Sequence, residues 1–111
     1  MSKVRVLLAD DHAILRSGLR LLLEREPDLS VAGEAIDGRA AVDWMERERA
    51  DVAVMDVGMP GLNGIEATAQ ILRKHPGVGV VMLSMHSDET YVLRCLRAGA
   101  RGYILKESAE H

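Results

Sequence analysis

The chain contains no phenylalanine, one tryptophan and two tyrosines, so aromatics make up only 3% of its 111 residues. A core must therefore be built from Val, Leu, Ile, Ala and Met. One cysteine, Cys95, excludes an intrachain disulfide and fits a reducing compartment. No apolar run approaches the roughly 20 residues that a membrane helix requires. The apolar stretch after the basic start, MSKVRVLLADD, is too short for a secretory signal. Basic charge is not in excess either. A formal net charge of -3 argues against a nucleic-acid-binding surface on this domain. These absences leave one aliphatic-cored domain, expected in the cytoplasm and away from membranes.

What is present is an alternation of strand-like and helix-like segments. Val4 to Ala9 is an apolar run broken only by Arg5, as a strand buried on both faces requires. His12 to Glu26 reads as a helix, with Ile14, Leu15, Gly18, Leu19, Leu22 and Leu23 at helical spacing and Pro27 as its stop. Leu29 to Ala35 is a weaker strand, and Gly33 within it suits an outer position. Asp37 caps a helix from Gly38 to Arg49, with Ala41, Val42 and Met45 facing inward. Asp51 to Asp56 is the third strand. After the loop VGMPGL, Asn63 and Glu66 form a capping-box pair that opens a helix ending at His75. Val78 to Ser84 is the fourth strand. A helix starting at Ser87 or Asp88 ends at Gly99, a C-cap glycine. Arg101 to Leu105 is the fifth strand, and Glu107 to His111 begin at most another helix. The predicted fold is α/β, a doubly wound parallel sheet of the flavodoxin-like kind with strand order 2-1-3-4-5. A fifth helix is expected to be largely absent from residues 1–111.

Polar residues sit where the apolar strands end: Asp10 and Asp11 after the first, Asp56 at the third, Ser84 at the fourth and Lys106 after the fifth. In an open parallel sheet, ligands bind beyond those ends, where the strand order reverses. Three carboxylates gathered there repel one another unless they take up protons or bind a cation. All-oxygen ligands with an open side suit Mg²⁺, which can accept phosphoryl oxygens. Lys106 adds a second cation and Ser84 a hydroxyl, a set suited to phosphoryl transfer, with Asp56 as nucleophile. Each residue also has a plainer reading. Asp10 and Asp11 could cap the first helix, Asp56 could be a turn residue before Met59-Pro60-Gly61, and Lys106 could be a solvated lysine. It is the conjunction that favours one chemical assembly.

The set Asp10-Asp11, Asp56 followed by Met59-Pro60-Gly61, Ser84, Tyr103 and Lys106 resembles the receiver domain of bacterial two-component response regulators. The stretches ADDHAILRSGLRLLLE and SDETYVLRCLRAGARGYILK are similar to the NarL/FixJ-type subfamily. The resemblance covers the whole chain. It implies that Asp56 is the phosphoacceptor and a histidine kinase the donor. It implies Mg²⁺ (Mn²⁺ in its place) on Asp10, Asp11, Asp56 and the Gly58 carbonyl. Lys106 and Ser84 then contact the phosphoryl group, and Tyr103 rotates as a switch. It further implies a regulatory domain, not a turnover enzyme, with homodimerisation on phosphorylation and a C-terminal helix-turn-helix domain, outside this sequence, through which DNA is bound. A stand-alone receiver, a receiver with an enzymatic output and a Mg²⁺-dependent phosphohydrolase are the rivals. Adjacent Asp10-Asp11 disfavours the last, in which a D-x-D pattern is expected on the first strand.

Two departures from the family pattern stand out. Gly58 is smaller than the side chains common there, which implies a more open site. Glu107 follows Lys106 where many receivers have proline, which disfavours a cis bond. His12 reads as a helix-start histidine facing solvent, with contact to phosphate or metal as the sharper reading. His86 reads as a rim or plain loop residue. Cys95, Met55 and Met82 read as core filling. Arg94, Arg97 and Arg101 read as a solvated basic face or a dimer or effector contact.

Overall fold

The computed structural model describes residues 3–85 and 89–106. The proposed helix start at Ser87 or Asp88, His86 and the stretch Glu107 to His111 lie outside the described residues. The elements in chain order are β1 (Val4–Ala9), α1 (Ala13–Glu24), β2 (Leu29–Ala35), α2 (Gly38–Arg47), β3 (Val52–Asp56), α3 (Gly64–Lys74), β4 (Gly79–Ser84), α4 (Glu89–Ala98) and β5 (Gly102–Leu105). The strands form one sheet in the order β2-β1-β3-β4-β5, and every neighbouring pair is parallel. This is the flavodoxin-like topology expected from the alternation. Strand starts differ by one residue: Asp51, Val78 and Arg101 precede their strands. Asp51 instead accepts the Arg5 amide N–H on its carboxylate at 2.9 Å.

The caps follow their chemistry. Asp37 accepts the Ala40 amide at 2.8 Å and opens α2. Asn63 accepts the Glu66 amide at 2.9 Å and opens α3. Gly99 closes α4 with φ of 109°, and the next amide, Ala100, bonds back to Cys95 at 3.0 Å. Only a residue without a Cβ takes that conformation readily. Gly33 has a different reason. β2 is an edge strand, as the sequence predicts, and its register slips opposite Val6 and Leu7. The Trp44 indole of α2 lies over Gly33, where a Cβ would come within 2.6 Å of Trp44 Cε2. The sole tryptophan thus takes the place of the missing side chain.

The two faces of the sheet are covered unequally. Leu7, Ala53, Met55, Val80 and Met82 pack under α2, α3 and α4, which contribute Ala41, Met45, Ala67, Ile71 and Cys95. The opposite face holds Val6, Leu8 and Val31 against Leu19 and Leu23 of α1. The α1 stripe read from the sequence is therefore only partly used. Ile14 is 91% exposed and Leu22 51%. With Leu15, Leu21, Met85 and Lys106 these residues line a groove of about 710 Å³. Among the described residues, no second helix covers this side. Ile71, 1% exposed, reports the closed side. Its truncation to alanine leaves a cavity and should cost about 2–4 kcal/mol. Leu22→Ala on the open side should cost less than about 1 kcal/mol. Urea unfolding of both variants checks this, and equal losses would contradict the asymmetry.

Candidate functional site

The strand registers bring the polar ends together. Ala9 pairs with Met55, so Asp10 emerges beside Asp56. Asp56 pairs with Leu83, one residue before Ser84, and Ser84 pairs with Leu105, one residue before Lys106. The strand order reverses between β1 and β3, and beyond their carboxyl ends this topology creates a crevice.

Asp10 is 2% exposed and held from three directions. Its amide donates to Ala35 O at 3.0 Å. Its carboxylate Oδ1 accepts the His12 amide at 2.7 Å. Its own carbonyl accepts Arg16 Nη1 at 2.7 Å. Arg16 is itself anchored by Glu34 of β2, at 2.6 Å from Nε. Asp10 and Asp11 do not cap α1: the N-cap is His12, and no side-chain cap bond forms.

Asp56 is 2% exposed. Its Oδ1 accepts the Gly58 amide at 3.1 Å. Lys106 Nζ lies 3.0 Å from Asp56 Oδ2 and 3.5 Å from Asp10 Oδ2. Both are ion-pair contacts and are not counted among the hydrogen bonds. Asp10 Oδ2 and Asp56 Oδ2 are the two buried side-chain oxygens among the described residues that accept none. Lys106, 3% exposed, is thus a buried ammonium facing two carboxylates, not a solvated lysine. Asp11 is on the open side, with its side chain 34% exposed.

Crowding separates the two carboxyls electrically. Burial pushes the Asp56 carboxyl up to about 6, against the pull of the Lys106 ammonium and the Gly58 amide, and the Asp10 charge adds to the rise. For Asp11, burial also pushes upward. Hydrogen bonding with Asp56 and the charges of His12 and Lys106 outweigh it and hold Asp11 below the usual carboxylate range. The pair can therefore keep one proton on Asp56 while Asp11 stays ionised.

Ser84 is 1% exposed at the end of β4. Tyr103 is half-buried on β5 and packs against the main core, opposite Met82. Gly58 is exposed, and a Cβ there would meet nothing nearer than Asp56 Oδ1 at 4.0 Å. Cys95 is fully buried, and burial raises its thiol pKa, which fits core filling. Arg94, Arg97 and Arg101 are exposed, and Arg94 stacks over Tyr91 at 5.9 Å.

Sequence reasoning placed His12 in solvent. Its side chain is 61% exposed, yet Nδ1 turns inward, 3.0 Å from Asp10 Oδ1, 3.3 Å from Asp11 Oδ1 and 2.9 Å from Lys106 Nζ. Arg16 was missed. Its partners are the Asp10 carbonyl and Glu34 on β2, and no spacing along the chain signals that pairing.

Residues 6–111 match the family model described as the response regulator receiver domain, and the chain belongs to that family. It is 42% identical over 106 residues to the transcriptional regulatory protein DegU of Brevibacillus brevis, covering 96% of this chain and 45% of that protein. It is 41% identical to the response regulator UvrY of Escherichia coli K12, covering 96% of this chain and 49% of that protein. The chain therefore spans about half the length of these curated relatives. A LuxR-family two-component response regulator from Aurantimonas superposes with a TM-score of 0.89 at 38% identity, covering 95% of this chain and 75% of that one. The response regulator domain of Thermotoga maritima CheB superposes with a TM-score of 0.88 at 39% identity, covering 94% and 78%. The NarL/FixJ-type expectation agrees with these relatives. Among the described residues, no helix is long and apolar enough to cross a membrane.

The raised Asp56 pKa has a thermodynamic consequence. The folded chain holds this proton more tightly than the unfolded chain, whose carboxyl titrates near about pH 4. Between there and about pH 6, folding takes up a proton, so stability falls as pH rises through that window. Above it, ionised Asp56 destabilises the fold. In EDTA, Asp56→Asn should raise the thermal midpoint at pH 7.5 by about 5 °C and by much less at pH 4.5. Equal gains at the two pH values would show that Asp56 is not the group that titrates.

Proposed function

We propose that this chain is a phosphorylation-dependent signalling switch, with Asp56 accepting a phosphoryl group from a histidine kinase. One observation carries the reading: a buried Asp56 carboxylate has a buried lysine ammonium 3.0 Å from its Oδ2, in a cluster with Asp10 and Asp11 at the strand ends.

The cluster fits a divalent cation. Asp10 Oδ2 and Asp56 Oδ2 are buried without a hydrogen bond, and an ion would supply the missing partner. We assign Asp10, Asp11, Asp56 and the Gly58 carbonyl to Mg²⁺, or Mn²⁺ in its place. When bound, the ion neutralises charge on the transferring phosphoryl oxygens. The chain's own residues do the rest. An ionised Asp56 oxygen attacks phosphorus and forms a mixed carboxylic–phosphoric anhydride. The phosphorus–nitrogen bond of the donor phosphohistidine breaks, and its electron pair returns to the imidazole. Lys106, already paired with Asp56, follows the new phosphoryl charge. Ser84, buried at the end of β4, hydrogen-bonds a phosphoryl oxygen, and Tyr103 repacks behind it, a local charge change biasing a two-state element.

The domain catalyses only its own phosphorylation and dephosphorylation. Its output is proposed to be transcriptional, through a DNA-binding domain beyond residue 111, and its phosphorylated form to dimerise. This is supported by DegU being a transcriptional regulatory protein and by the chain spanning 45% of its length. Stand-alone and enzymatic outputs are the alternatives.

Incubation with Mg²⁺ and acetyl phosphate should add one phosphate by intact mass, and Asp56→Asn should abolish it. An unmodified folded wild type would overturn the proposal. Because Gly58 places no side chain over the site, Gly58→Arg and Gly58→Asn should lengthen the acyl phosphate half-life several-fold. An unchanged half-life would refute the idea that this gap admits water.

A further inference from the structure

We infer that Arg16 is a positioning residue for the proposed metal centre: its guanidinium, spanning the Asp10 carbonyl and the Glu34 carboxylate, holds the bend that turns two adjacent aspartates toward one ion. This rests on the reading of the carboxylate cluster as a divalent-cation site.

The need for such a residue follows from the chain itself. Consecutive side chains of a strand point to opposite faces. An Asp-Asp pair that continued β1 would therefore aim its two carboxylates apart. Here they converge: one carboxylate oxygen each of Asp10, Asp11 and Asp56 lies within 4.8 Å of the others. Convergence requires the chain to leave strand geometry between Asp10 and Asp11. β1 ends at Ala9, and the chain bends at Asp11.

The peptide between the two aspartates is held at that bend. The Asp10 amide still bonds to the neighbouring strand, at Ala35 O and 3.0 Å. The Asp10 carbonyl, which belongs to the Asp10–Asp11 peptide, accepts Arg16 Nη1 at 2.7 Å. The orientation of that peptide plane sets where both carboxylates point. Arg16 reaches back to it from the first turn of α1, where its own amide donates to His12 O at 2.9 Å.

An arginine suits this task better than a lysine. Its rigid planar fork serves two acceptors at once. Nη1 takes the carbonyl while Nε is fixed by Glu34 Oε1 at 2.6 Å. The Arg16 side chain is 17% exposed, so water competes little for these bonds. Glu34 lies on β2, the strand that pairs with β1. The guanidinium is thus braced against the sheet from which Asp10 emerges.

The sign of the effect separates positioning from charge. Arg16 is a cation beside an acidic cluster, and removing one cation by itself tightens the binding of another. Loss of positioning weakens it. Titration calorimetry at constant ionic strength gives the Mg²⁺ affinity of wild type, Arg16→Met, Arg16→Lys, Leu19→Ala and Asp10→Asn, with the thermal midpoint recorded for each. Leu19→Ala loses packing of the same helix against the sheet and controls for stability alone. Arg16→Met should weaken Mg²⁺ about tenfold or more, Arg16→Lys about threefold or more, and Leu19→Ala less than about twofold. Arg16→Lys keeps the charge and decides the matter where Arg16→Met does not fold. Unchanged or tighter Mg²⁺ binding in Arg16→Met, or Arg16→Lys binding as wild type does, overturns the inference while leaving the carboxylate site intact. Leu19→Ala that weakens Mg²⁺ as much as Arg16→Met overturns it too. Wild type that binds no Mg²⁺, or Asp10→Asn that binds it as wild type does, overturns the metal-centre reading itself.

Discussion

Mutual repulsion among three carboxylates at the end of a parallel sheet is the constraint on which the rest of this molecule depends. Asp10 and Asp56 leave water almost completely, and burial of ionised groups without compensation is costly. Compensation comes from within the chain. Lys106 places its ammonium between the two, His12 and Gly58 offer amides, and one proton can rest on Asp56. Each measure is partial. Two oxygens remain without a hydrogen bond, and that residual imbalance is what the proposed cation and phosphoryl group would relieve.

The fold supplies this arrangement cheaply because parallel registers align all strand ends on one edge. β1 and β3 are neighbours although far apart in sequence, and β5 delivers Lys106 to the same edge beside β4. The side chains that form the site need no special backbone. Among the described residues, positive φ is confined to Gly61 and Gly99, neither of which carries a proposed ligand or phosphoryl contact. Charge, not backbone strain, is what the site stores.

Much of this was legible from residues 1–111 alone. Apolar runs such as Val4–Ala9 read as buried strands because parallel strands covered on both faces lose alternation. Asp37 and Asn63 read as caps because their oxygens satisfy free amides at short range. These are local signals, and they carried strand order and the end-of-strand set. What failed was non-local. The helical spacing of the α1 stripe identified the helix but not which of its residues are covered, because periodicity records apolar residues and not their neighbours; Ile14 and Leu22 remain exposed. Gly33 read as a weakness in an outer strand, but its reason lies in Trp44 on a different element. The inward turn of His12 also brings Nδ1 beside Lys106, 94 positions away, a contact that no pattern along the chain announces.

The hold on Asp10 extends the site beyond its chemistry. Arg16 grips the Asp10 carbonyl and is gripped by Glu34, which also binds Arg20 of α1. Edge strand, first helix and acidic crevice are therefore one mechanical unit, with Glu34 as its outer peg. Genetic sensitivity should follow that linkage, not proximity. Under the proposed function, a substitution at an apparently ordinary surface glutamate, remote from every reacting atom, would register as a signalling defect, and a map of tolerated variation would draw the functional boundary around the edge strand as well.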